Sequence, residues 1–210
     1  MTPDDIRAAL DRTFGGCCVR VQYELQPKRP RRPGRRRRRG GLLRPVITAA
    51  ANRAWAAVAQ YPILGHGVVE LDARRCVVVS KGYGEIIDGE RSWHGAAGEP
   101  IASLDESRFG DLDPLLALEL LRGAVEVVIG REVTVYCDLV GAADATDGDL
   151  VVPSSANRMS LVRRLPLFVR LDGDGHIRAV RHELEFGTFT LEVVERGVPD
   201  PDWTRIPDDT

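Results

Sequence analysis

The side chains best able to do chemistry in this 210-residue chain are clustered in "KRPRRPGRRRRR", residues 28–39. Lys28 and eight arginines, with no acid among them, could neutralise the phosphates of a nucleic acid or of acidic lipid headgroups in a salt-dependent way. The rest of the chain carries 20 basic against 31 acidic residues, so a basic loop sits on an acidic body. The tract holds no aromatic residue to stack on bases, and Pro27, Pro30, Pro33, Gly34, Gly40 and Gly41 interrupt any regular backbone there. Three readings stand open: a solvated loop, a contact for anionic membrane or another polyanion, and a specific nucleic-acid site, which the composition disfavours. If a polyanion binds, Arg35, Arg36, Arg37, Arg38 and Arg39 are its expected contacts, and the binding is expected to be weak, sequence-independent and reduced by salt.

A second stretch, "DGDGHIRAVRHE" at 172–183, places Asp172, Asp174 and Glu183 at positions one, three and twelve of a calcium loop. His176 then occupies the fifth position and Ile177 the place where the sharp turn demands glycine, so the stretch reads as a hairpin turn. His66, His94, His176 and His182 show no metal-ligand spacing. Cys17, Cys18, Cys76 and Cys137 are too scattered for a disulfide framework or a paired zinc motif and read as small core residues. No nucleophile elbow, phosphate loop, zinc-protease helix or dinucleotide fingerprint occurs. The chain reads as a non-enzyme with no expected metal or cofactor.

The elements that would position these groups follow from periodicity. Thr2, Pro3 and Asp5 mark a helix start, Ile6, Ala9, Leu10 and Phe14 share one face, and Gly15–Gly16 end it. "VRVQYEL" at 19–25 alternates as a half-buried strand. The spacing of Leu43, Val46, Ile47, Ala50, Ala54, Val58 and Tyr61 predicts a helix over 42–60. Strands with hairpin-length gaps follow from His66, a helix "DPLLALELLRG" spans 113–123, and five more strand-like runs lie beyond it. Residues 141–158 read as a long connection. The pattern predicts an α+β fold, a single antiparallel sheet of about seven to ten strands with two or three helices on one face.

From "YGEIIDGERSW" through "DPLLALELLRGAVEV", "GREVTVYCDLV" and "LPLFVRLDGDGHIRAVRHELEF" to "FTLEVVERGVP", the element order over about residues 66–200 resembles the LolA and LppX/LprG group of lipid and lipoprotein carriers. That resemblance implies a strongly curved sheet, a half-barrel, whose open side is plugged by helices. It also implies an apolar space suited to acyl chains. The arginine loop and helix 42–60 are additions to the group's order and suggest a lid or partner surface.

The expected organisation is one domain over residues 1–200, with a flexible arginine-rich loop at 27–41 and a tail at 201–210. The expected function is a non-catalytic binding protein holding a lipid or other apolar ligand between sheet and helices, lined by Tyr23, Trp55, Trp93, Leu167 and Phe168. The alternative is an interaction module whose basic loop docks on an acidic partner, a membrane surface or nucleic acid. "FGGC" at 14–17 superficially resembles a lipoprotein cleavage box, yet "TPDDIRAALDRT" before it is charged and amphipathic. A signal peptide needs about 7–15 apolar residues there. A cytoplasmic protein able to rest on a membrane surface is the corresponding expectation.

Overall fold

The computed structural model describes residues 1–27, 62–89, 91–107, 114–138, 164–183 and 187–208. Helix α1 spans Pro3–Phe14. Its start is the capping box the sequence announces: Thr2 Oγ1 accepts the Asp5 N–H at 3.3 Å and Asp5 accepts the Thr2 N–H at 2.6 Å. Helix α2 spans Pro114–Arg122. The strands are β1 (Cys18–Pro27), β2 (Ile63–Glu70), β3 (Arg75–Ser80), β4 (Tyr83–Asp88), β5 (Arg91–Ala96), β6 (Asp105–Ser107), β7 (Ala124–Ile129), β8 (Val133–Asp138), β9 (Arg164–Leu171), β10 (Ile177–Glu183) and β11 (Gly187–Val198).

These strands form one antiparallel sheet in the order β6-β5-β4-β3-β2-β1-β11-β10-β9-β8-β7. Neighbours in the sheet are neighbours in sequence except where β1 joins the last strand, β11, and the consecutive strands β6 and β7 form its two edges. The two runs of hairpins thus meet at a β1–β11 seam ten residue pairs long. The β3–β4 hairpin turns at Lys81 and Gly82, both with positive φ (53° and 75°), the backbone a two-residue primed turn requires.

The sheet is open but strongly curved. Helix α2 touches both β3 and β8, which lie six strands apart in the order. On a flat sheet those strands would be about 29 Å apart. A nine-residue helix is only ~13.5 Å long. The sheet therefore wraps around the helices.

Side chains secure that wrap at the β2–β3 turn. Asp72 accepts the Gly16 N–H at 2.9 Å and meets Arg122 of α2 at 3.2 Å, while Arg74 pairs with Glu119 of α2 at 2.8 Å. Arg7 of α1 donates to the Arg122 carbonyl at 3.1 Å, satisfying an end-of-helix acceptor, and to the Ala124 carbonyl at 2.6 Å.

The main core lies inside the curve. Ile6, Leu10 and Phe14 of α1 and Leu115, Leu118 and Leu121 of α2 are fully buried against Val135, Leu167, Val169, Ile177 and Val180 of the sheet. A second cluster lies on the outer face, where Val77, Val79 and Ile86 are buried with Ile206 and flanked by Trp93 and Trp203. The segment after β11 crosses that face, held by Ile206 N–H to the Glu99 carbonyl at 2.9 Å and by a bridge between Pro100 and Arg205. Elsewhere the outer face carries cross-strand ion pairs, Arg20–Glu195 and Arg170–Glu192, as a solvated surface should.

The α+β fold with a single curved antiparallel sheet is the one the sequence predicts, and the helices expected near 3–14 and 113–123 are present. The strands number eleven among the described residues, one above the expected range. The extra strand is β6, three residues long and too short and too polar to alternate visibly. The predicted helix 42–60, the arginine tract and the connection at 141–158 lie outside the described residues. No helix among the described residues is long and apolar enough to cross a membrane.

Candidate ligand-binding face

Residues directly opposite one another in an antiparallel ladder share a face. The register therefore carries the inward set of β1, Val21, Tyr23 and Leu25, across the whole sheet. On β2 it meets Gly67, Gly65 and Ile63, and on β11 Val193, Leu191 and Phe189. Going one way, the inner face continues through Cys76 and Val78 of β3, Ile87 and Glu85 of β4, and Ser92 and His94 of β5. Going the other way, it continues through Val180 and His182 of β10, Val169 and Leu167 of β9, and Val133 and Val135 of β8.

These two directions differ in chemistry. The β8–β10 side is apolar apart from His182 and lies under α1 and α2. The β2–β5 side is thinner and more polar: Gly65 and Gly67 leave the floor without side chains, and Ser80, Glu85, Ser92 and His94 line it beyond.

Tyr23 stands between them. Its ring stacks on Phe189 with centroids 6.1 Å apart and lies directly over Gly65, where an added Cβ would come within 2.2 Å of the ring carbon Cζ. Glycine at 65 is therefore required by the tyrosine. Burial pushes the Tyr23 phenol up to about 12, against a smaller opposing effect of the Ser80 hydroxyl that bonds it, so the phenol is a neutral donor inside the curve. Ser80 Oγ in turn donates to the Leu64 carbonyl at 2.6 Å. At the rim, the Tyr83 and His94 rings lie 6.1 Å apart, and Tyr83 is 52% exposed.

Of the five lining residues the sequence singles out, Tyr23 and Leu167 share this inner face, Leu167 deep in the helix-covered part. Trp93 pairs with Ile86 on the outer face, in the second cluster. Phe168 also points outward, beneath the Arg181 guanidinium, which sits 4.1 Å from the ring centroid. Trp55 lies outside the described residues, as do Arg35 to Arg39. Phe189, Ser80, Glu85 and His94 were not singled out, yet the phase of each strand relative to Tyr23 places them on the same face.

Elsewhere the chemistry is structural. Cys18, Cys76 and Cys137 are buried and unbridged, and burial raises the Cys18 and Cys137 thiols to about 12, too high for a nucleophile. "DGDG" is a hairpin turn between β9 and β10: Asp172 Oδ1 accepts the N–H groups of Asp174 (3.0 Å) and His176 (2.9 Å), and Gly175 has φ 78°.

Neither a protein-family model nor a curated protein matches the chain. Among solved structures it is similar to the lipoprotein LppX of Mycobacterium tuberculosis, at 15% identity over 95% of this chain and 96% of that one, with a TM-score of 0.45. It is also similar to LprF of Mycobacterium bovis, at 11% identity over 98% and 95% of the two chains and a TM-score of 0.45. A LolA superfamily protein of Nitrosomonas europaea matches at 9% identity over 96% of each chain, with a TM-score of 0.39.

Proposed function

We propose that the protein is a non-catalytic carrier or binding module that holds a lipid or another apolar molecule against the inner face of its curved sheet, on the β1–β5 side. One observation carries this reading: the inner wall continues past the strands that α1 and α2 chiefly cover, and there it is floored by Gly65 and Gly67 and walled by Tyr23, Leu25, Val78 and Phe189. A wall whose Gly65 lets the Tyr23 ring lie flat across it, with Phe189 stacked beside that ring, offers aromatic faces to a flat or flexible apolar ligand. Tyr23, Ser80 and His94 would supply the few polar contacts such a site uses to orient its ligand. Leu167 contributes to the packed part of the same wall.

Native mass spectrometry of the full chain after mild purification tests the reading. Co-purified acyl lipid, displaced by a long-chain fatty acid, is the expected result. A single bare mass that gains no adduct with a fatty acid, a lysophospholipid or a triacylglycerol would overturn it.

A further inference from the structure

We propose that β7 is a dimerisation edge, along which a second copy of this chain pairs antiparallel through Glu126–Gly130 about a two-fold axis at Val128. This goes beyond the apolar site and is independent of it. Among the described residues β7 ends the sheet and is paired on one side alone, to β8. Of the seven large apolar side chains exposed among those residues, three lie on this strand: Val125 (44%), Val128 (46%) and Ile129 (65%). Edge strands are ordinarily kept from pairing by lysine, proline or shortness. The opposite edge, β6, is three residues of polar sequence, whereas Ala124–Ile129 is twice as long and holds neither lysine nor proline.

The backbone sets the register. Gly130 donates to the Glu132 carbonyl at 3.2 Å and Asp138 to the Gly123 carbonyl at 2.9 Å, so the even-numbered residues of β8 face β7. Their partners Glu126 and Val128 turn their N–H and C=O groups towards β8, which directs those of Val127 and Ile129 outward. The bulge between Ala124 and Glu126 ends this open stretch, and Arg7 already holds the Ala124 carbonyl at 2.6 Å.

The occupant follows from self-complementarity. The symmetric register that engages both outward residues is centred on Val128. In it, Val127 of one copy exchanges backbone hydrogen bonds with Ile129 of the other, and the two-fold axis repeats the exchange. Val128 meets its own counterpart on the outer face, while Val127 and Ile129 meet on the inner one, the aliphatic cross-strand pairs that stabilise a ladder. Glu126 comes opposite Gly130 and beside Arg131 of the second copy, so opposite charges meet at both ends of the seam. A foreign strand would have to carry the same order of apolar and charged residues, which a second copy supplies by symmetry. Glu126–Gly130 spans only ~17 Å, so the dimer is expected to be weak.

Sedimentation equilibrium of the full chain at concentrations up to about 300 μM tests the pairing. A reversible monomer–dimer equilibrium is expected, weakened about tenfold or more by Val128→Lys, which sets like charges face to face at the axis. Ile129→Pro removes an outward N–H that the chain's own sheet does not use, and should weaken the dimer as much. Val194→Lys, on an exposed residue of β11, should leave it unchanged, and all three variants should melt within a few degrees of the wild type. A chain that stays monomeric overturns the proposal and leaves the edge to a strand of another protein. So does association that continues past the dimer, or a dimer indifferent to Val128→Lys. A dimer lost in Val128→Lys but kept in Ile129→Pro joins through side chains alone and also overturns the strand pairing. Should Ile129→Pro fail to fold, Val128→Lys, at an exposed position, decides alone.

Discussion

The two halves of the inner face are built from one continuous sheet, yet they hold different kinds of residue. Under α1 and α2 the β8–β10 half packs Val135, Cys137, Leu167, Val169 and Val180 to full or nearly full burial, a tessellated core whose role is to keep the sheet curved. On the β2–β5 half the same face carries Gly65, Gly67, Ser80, Glu85, Ser92 and His94. On the function proposed above, the apolar half keeps the fold and the more polar half meets the ligand.

The largest test of that division is in the packed half. Leu118→Ala, at a position with no exposure, should destabilise the protein by about 2–5 kcal/mol in urea unfolding. A loss below about 1 kcal/mol would mean that α2 is only loosely seated. At the junction, Gly65→Ala forces Tyr23 off its position and should cost about 1–3 kcal/mol. In a Tyr23→Ala background the added Gly65→Ala change should cost much less, because the three atoms nearest the new Cβ all belong to that ring.

The clasp comes next. Glu119→Gln removes the charge that Arg74 meets, across a pair 28% and 15% exposed, and should cost about 1–2 kcal/mol. High salt should reduce the difference only partly, since the pair is half-shielded.

The smallest effect lies at the N-terminus of α1. Hydrogen bonds from the Thr2 backbone and hydroxyl hold the Asp5 carboxyl below its usual 3.8. Its contribution is therefore fully present above pH 3.8 and is lost as the pH falls through the lower, folded value. Thr2→Ala should lower stability by about 1 kcal/mol at pH 7. Asp5→Asn should flatten the pH dependence of melting between pH 5 and about 2 by lowering the upper plateau slightly while leaving the acid end unchanged.

Much of this architecture is legible in the residues. Thr2-Pro3-Asp5 announces α1, Pro114 and Gly123 bracket α2, and the alternation in "VRVQYEL" fixes which side chains of β1 point together. The site is less legible, because alternation gives two faces without saying which is inside. Trp93 and Phe168 point outward because they are one residue out of phase with Ser92, His94 and Leu167. "RCVVVS" carried a further signal: an unbroken apolar run means a strand covered on both sides. The cover on its outer face is Ile206 and Trp203, in a proline-rich stretch with no periodicity of its own.

On the function proposed above, the β1–β5 half of the inner wall holds an apolar ligand while the β8–β10 half holds the fold. Competition with a fluorescent fatty acid, measured for the wild type and for Ser80→Trp alongside their melting curves, addresses it most directly. A tryptophan at 80 extends over the glycine floor beside Tyr23. The expected result is saturable binding by the wild type, a loss of about tenfold or more in the variant, and melting temperatures within a few degrees of each other. Equal binding by both proteins, or a variant that unfolds like Leu118→Ala, would contradict the division of the wall.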